Sequence, residues 1–323
     1  MNHLPTLSRR SLLQSAVAGS VALSLPLPLC AEPAAEVPIV DTHTHFYDPE
    51  RKEGVPWPDK RDTLLYRRVL PGEFVKLTRP LGVVGTVVVE ASPQLEDNQW
   101  LLDLAKNEPV MFGVIGNLKP GSEGFAGRLR RFAKNELYRG IRINVEDVRK
   151  GLGQPEFVKD LQAFADLGLT LEVNGGPDTP AEVARLAMAI PRLTNCINHC
   201  GNVRIDGTEP PASWLAGMKE AAEHQRVFCK VSALVEGTGK REMDAPRDVA
   251  YYQPVLDALW DIWGEDRLMY GSNWPVSLRF ASYETVLGIV RDYFAARSRI
   301  VQEKFFAGNA ARAYRWPAPR KIP

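Results

Sequence analysis

Cysteine is scarce: four in 323 residues, too few to hold a fold together by disulfides. Charge of one sign is lacking as well, since 40 Lys+Arg face 39 Asp+Glu for a formal net charge of +1. Without a global field, nucleic acid is excluded as a principal partner. Beyond residue 35 no apolar run approaches the roughly twenty residues of a membrane span, and no repeat of solenoid period occurs. Histidine numbers only five, so any clustering of imidazoles is informative. What is present is ordinary globular composition, 45% apolar and 24% charged, in a chain long enough for one α/β barrel with a large core.

The first 35 residues differ from the rest. Ser8-Arg9-Arg10-Ser11-Leu12-Leu13 precedes an apolar run from Ala16 to Leu29, and small residues follow from Ala31 to Ala35. An arginine pair placed before a Gly/Ala/Leu-rich segment reads as a twin-arginine signal peptide over 1–35, leaving 36–323 as the exported body. The run is too short for a bilayer and is broken by Pro26 and Pro28, so the expectation is a soluble periplasmic protein with no stable membrane anchor. Leu29 is too large for a lipid-attachment box at Cys30. Export of a prefolded chain is compatible with a bound cofactor but does not require one. Cys196 and Cys200, read as sharing one strand, would lie about 13 Å apart, beyond disulfide reach, as core thiols.

From Val37 onward short β-branched runs alternate with longer amphipathic segments. The strand-like runs cover 39–45, 85–91, 110–117, 140–145, 169–174, 196–199, 227–233 and 268–273; helical patterns between them include 98–106, 125–134, 156–165, 179–188, 212–223 and 251–263. Eight alternating units predict parallel pairing in a single-domain α/β fold, the (β/α)8 TIM barrel, with a doubly wound sheet as the alternative.

Each run finishes polar: His43 and His45, Glu90 and Ser92, Asn117, Arg142 and Asn144, Glu172 and Asn174, His199, Lys230 and Ser232, Asn273. Emergence into solvent accounts for one or two such endings. Eight together point to the C-terminal rim, where barrels build their sites. In Val40-Asp41-Thr42-His43-Thr44-His45 the two imidazoles share one side of a strand, aimed at the barrel mouth, where they could grip a divalent cation; a hydrogen-bonded polar pair is the plainer alternative. His199 alone would be an ordinary rim histidine, but the barrel lets it converge with the pair. His3 and His224 are no candidates.

These motifs, with Gly140-Ile141-Arg142, Cys229-Lys230-Val231-Ser232, Met269 to Val276 and Gly308 to Tyr314, resemble the amidohydrolase-related barrel family over nearly all of 37–314. Within it the chain is most similar to the lactonase-like branch, which includes sugar lactonases and pyrone-dicarboxylate hydrolases. The resemblance implies that His43, His45 and His199 bind zinc, as in metal-dependent members, or polarise a substrate carbonyl, as in metal-free ones. It also implies that Arg142 and Lys230 hold carboxylates or oxyanions. The acid that activates water in the family falls on Asn273, which cannot ionise and can only orient a water. No lysine ends the fourth strand, so a two-metal site is not expected.

Glu90 and Glu172 are the remaining acid or base candidates, with ion pairing to Arg142 or another rim cation as the alternative. Arg142 and Lys230, with Asn144, would favour a small anionic or hydroxylated substrate, or else balance the glutamates. Trp274 could wall the substrate or anchor a loop, and the long insertion from Asp48 to Pro71, carrying Trp57, could form a lid. The expected activity is hydrolysis of a lactone or related cyclic ester. Metal-dependent non-oxidative decarboxylation is the alternative, opposed by Asn273, and a catalytically impaired barrel that binds a small acid is a third.

Overall fold

The β-branched runs pair in chain order into one parallel eight-stranded sheet. In the computed structural model these are β1 (Ile39–Thr44), β2 (Val83–Val89), β3 (Met111–Gly116), β4 (Tyr138–Asn144), β5 (Thr170–Asn174), β6 (Thr194–Ile197), β7 (Val227–Val231) and β8 (Leu268–Tyr270). The structure describes Met1 and residues 36–316. The expected signal segment, with Arg9, Arg10 and Cys30, therefore lies outside the described residues.

The sheet curls back on itself just past β8. Asn273 N donates to His43 O at 2.8 Å, and His45 N donates to Trp274 O at 2.9 Å. A bridge between Thr44 and Trp274 completes the nearly closed (β/α)8 barrel. Parallel strands need crossovers, and the amphipathic segments supply them. Phe125–Phe132 buries Phe125, Leu129 and Phe132, while Pro155–Asp166, opened by its proline, buries Phe157, Leu161 and Phe164. Both sets follow the i, i+4, i+7 stripe that turns one helix face to the sheet. Gly140 has a specific steric reason, because a Cβ there would meet Thr170 O at 1.9 Å across the β4–β5 pairing.

Inside the barrel, Val87, Val89, Ile115, Cys196, Phe228 and Met269 pack against Ala310, Ala313 and Tyr314 of the last described helix, Asn309–Tyr314. That helix is fixed at the starts of strands, where Asn309 Nδ2 donates to Leu268 O at 2.8 Å and Thr170 Oγ1 donates to Ala313 O at 2.6 Å. It plugs the N-terminal end, which leaves the opposite rim for chemistry. Among the described residues no helix is long and apolar enough to cross a membrane.

Most strands end earlier than the sequence predicts, and at three of them the chain reverses sharply. β6 stops at Ile197, β7 at Val231 and β8 at Tyr270, and the chain then turns through positive φ at His199 (56°), Ala233 (53°) and Asn273 (60°). The left-handed region costs a non-glycine residue about 1–3 kcal/mol, so packing and hydrogen bonds around the rim must hold these turns. Cys200 is likewise in a turn, at φ 53°, and not in a strand with Cys196. Cys196, Cys200 and Cys229 are free, buried thiols.

Candidate active site

β1 carries His43, and His45 follows one residue past its end. The i, i+2 geometry brings their ring centroids to 5.1 Å, and the turn after β6 brings His199 to 4.3 Å from His43. All three rings are buried, at 0%, 4% and 8% exposure, so His199 is the most open to the mouth. Burial, then the Arg142 charge, depresses His45 to a pKa of about 3. His43 and His199 also lie well below the usual histidine value, chiefly from burial, with Lys230 the next cause for His43 and Arg142 for His199. The cluster is neutral at physiological pH.

Hydrogen-bond partners then place the protons. Lys230 Nζ, fully buried, donates to Thr42 O at 2.7 Å and Glu172 Oε1 at 2.6 Å, and it stands 3.2 Å from His43 Nδ1. An ammonium has three protons and no lone pair, so His43 Nδ1 accepts the third. The neutral ring must therefore carry its proton on Nε2, a buried atom with no partner. His43 thus holds a buried, uncommitted N–H donor near the C-terminal end of β1. His199 Nδ1 is held by Ser232 Oγ at 2.9 Å.

Lys230 and Glu172, expected as substrate grip and as acid or base, are joined to each other. Both are 0% exposed, and Tyr314 Oη, reaching up from the plug, also donates to Glu172 Oε1 at 2.7 Å. All three ammonium protons are engaged, so the substrate-gripping role expected of Lys230 gives way to one of fixing His43. Arg142 is different. It pairs with Glu90 at 2.7 Å with both side chains partly open, 18% and 15%, and also donates to Glu90 O at 2.8 Å. This pair borders a cavity of about 600 Å³ shared with Asn117, Arg128, Asn144 and Asn174. Asn144 lines that cavity while capping the helix Val145–Gly151 through its Oδ1, which accepts from Glu146 N at 3.0 Å. Trp274 is completely buried against Phe46 and Phe74, so it is a loop anchor and not a substrate wall. Trp57 of the long insertion comes within 6.0 Å of His45, centroid to centroid.

Two carboxylates of the site were not singled out in the sequence. Asp41 is buried between β1 and the turn after β8, accepting from His43 N at 3.0 Å, Ser272 N at 2.9 Å and Tyr283 Oη at 3.0 Å. Burial pushes its pKa up, although those donors oppose the shift. Its place inside the His-x-His motif was the available signal. Glu236 sits in the four-residue helical turn Leu234–Gly237, and its Oε1 is 2.9 Å from Asn273 Nδ2. Asn273 Oδ1 is in turn 3.3 Å from His45 Nε2.

Among the described residues, no three His, Cys, Asp or Glu side chains are arrayed to hold one metal ion. The donor set explains why. His43, with an ammonium 3.2 Å from Nδ1, carries its proton on the Nε2 that a metal would need, and Asn273 offers no anionic ligand, although His45, which donates from Nδ1 to Val89 O at 2.9 Å, keeps a lone pair on Nε2. Two positive charges, Lys230 and Arg142, already act on the three rings. The residues as they stand do not fit a divalent cation.

The amidohydrolase family matches residues 40–316. The chain belongs to that family. Its relatives lie on the lactonase-like branch, and the protein is a hydrolase of that kind. It is 29% identical to the L-fucono-1,5-lactonase of Burkholderia ambifaria over 87% of this chain and 96% of that one. A zinc-bound crystal structure of a Burkholderia multivorans amidohydrolase superposes with TM-score 0.78 at 26% identity, covering 87% of this chain and all of the other. The 5-carboxyvanillate decarboxylase of Sphingomonas paucimobilis, at 14% identity and TM-score 0.62 over 87% of this chain and all of its own, shares the fold.

Proposed function

We propose that the protein hydrolyses the ring ester of a small hydroxylated acid, a sugar lactone in chemical class, using its imidazole cluster in place of a metal. One observation carries this reading: the buried, unpartnered Nε2–H of His43, fixed in that tautomer by Lys230. A donor with no ground-state partner is available to a carbonyl oxygen and strengthens its bond as that oxygen becomes an oxyanion. Lys230 and Arg142 add positive potential around the developing charge.

In this scheme water adds to the lactone carbonyl carbon. Its proton passes to neutral His199 at Nε2, since Ser232 Oγ can accept from Nδ1–H and leave the lone pair on Nε2. The ring C–O bond breaks, and the departing oxygen takes the proton back from His199 as a hydroxyl. The product is the open hydroxy acid. Its new carboxylate suits Arg142, which can exchange Glu90 for it at the cavity edge, while Asn117, Asn144 and Asn174 offer amides to hydroxyl groups. The L-fucono-1,5-lactonase relative supports the substrate class.

The test is proton release from a panel of aldono-lactones, L-fucono-1,5-lactone included, with zinc quantified in the same sample. Turnover by protein with far less than one zinc per chain, unaffected by chelator, is expected. No turnover on any lactone, with acid binding retained, would move the assignment to a binding barrel. Export belongs to the same proposal. Residues 1–35 would direct the folded chain out of the cytoplasm, and replacing Arg9 and Arg10 with lysine should trap it inside on fractionation.

A further inference from the structure

The contacts Val89 O, His45, Asn273 and Glu236 form one chain of hydrogen-bonding groups whose polarity can be followed from end to end. A backbone carbonyl only accepts, so His45 Nδ1 carries the proton that bonds to Val89 O. The ring is neutral, hence Nε2 holds a lone pair. A lone pair facing an amide oxygen at 3.3 Å repels. The two ends of an asparagine amide fill the same envelope and are told apart by their partners. Attraction requires Nδ2–H toward His45 Nε2, which turns Oδ1 toward Glu236 at 2.9 Å. A carbonyl oxygen and a carboxyl group attract only if the carboxyl holds its proton.

We propose that Glu236 is a positioning residue that works as a neutral carboxylic acid, donating to Asn273 so that Asn273 donates to His45. Losing that proton would reverse the amide and set its oxygen against the His45 lone pair, disordering the rim turn at Asn273 beside the imidazoles. The surroundings agree. Burial raises the Glu236 pKa to about 7, and no cation offsets it. The groups that face it are Asn273 from the turn after β8, Tyr270 of β8 and Tyr252 at the start of the helix Gln253–Trp263. Arg204, which lines the same groove, is largely exposed and turned to Asp206 at 3.8 Å. Glu236 Oε2 is buried with no partner, as suits the bare end of a neutral acid better than a full anionic charge.

The catalytic consequence rests on the lactone-opening reading; the protonation claim does not. Two variants and one spectrum separate them. Glutamine at 236 always donates from its amide, so Glu236→Gln should carry the activity limb that the parent loses near pH 7 to higher pH by a unit or more, on the parent's KM. Glu236→Leu cannot donate and should lower kcat more than about tenfold at every pH, and glutamine should recover most of that loss on the acid side. Glutamine as impaired as leucine, or a Glu236→Gln profile identical to the parent's, would overturn the proposal. Infrared spectroscopy of the full-length protein supplies the independent readout, a protonated-carboxyl band present in the parent at neutral pH and missing in Glu236→Gln. The band without lactone turnover would sink the function and keep the inference, whereas turnover without the band would sink the inference alone.

Discussion

The barrel holds two Lys/Arg–Glu pairs only a few strands apart, and they have opposite characters. Lys230–Glu172 lies under the imidazoles at 2.6 Å with neither side chain exposed, sealed from below by Tyr314. Arg142–Glu90 lies beside them at 2.7 Å with both side chains partly exposed and a cavity alongside. The contacts are nearly equal in length; solvent makes the difference. A fully enclosed ammonium with every proton engaged cannot release its partners, so it acts as a fixture that sets the His43 tautomer. A guanidinium at a cavity edge can trade one carboxylate for another at little cost. In the proposed reaction the floor pair positions the chemistry and the rim pair meets the substrate.

The sharpest way to break this contrast is to remove the floor cation. Lys230→Met leaves Glu172 buried and unpaired, which should cost about 3–5 kcal/mol of stability in urea melts and abolish turnover. Adding Glu172→Leu should restore most of the stability and none of the activity; recovered activity would mean that the pair is only structural. Next in size is His43→Phe, expected to lower kcat about 100- to 1,000-fold with KM little changed, as for loss of an oxyanion donor. At the rim, Arg142→Ala should raise KM about ten- to a hundredfold, the equivalent of about 1.5–3 kcal/mol, while the melting temperature barely moves. A large stability loss there would erase the distinction between the pairs.

The smallest effect concerns acid. His45 is neutral in the fold with its pKa near 3, below its unfolded value of about 6.5. The unfolded chain therefore binds more protons as pH drops, so the stability this ring contributes is present above about pH 6.5 and lost progressively below it. At pH 5 the loss is about 2 kcal/mol for one such ring. His45→Gln should flatten that part of the pH–stability curve.

Much of the frame behind this contrast was legible in the sequence. Strand and helix periods are local, so the eight-strand order and the His43/His45 pairing followed from spacing alone, and the rim residues followed from strand ends. Partnership was not legible. Whether Glu172 meets Arg142 or Lys230 depends on which inward side chain reaches across the barrel interior, a matter of register among β4, β5 and β7. Glu236 gave no signal because it falls in a single helical turn after β7, and its partner Asn273 arrives from 37 positions later in the chain. The positive-φ turns at His199 and Asn273 were equally hidden, since nothing in either residue type announces that a strand stops two or three residues early.

The central claim, that a neutral imidazole cluster tuned by a buried lysine opens the ring, is tested most directly by titrating zinc into chelator-stripped protein while following lactone hydrolysis. The account predicts full turnover in the stripped protein and its loss in His43→Phe at any zinc level. Turnover that is absent after stripping and rises in proportion to added zinc, saturating at one ion per chain, would contradict it.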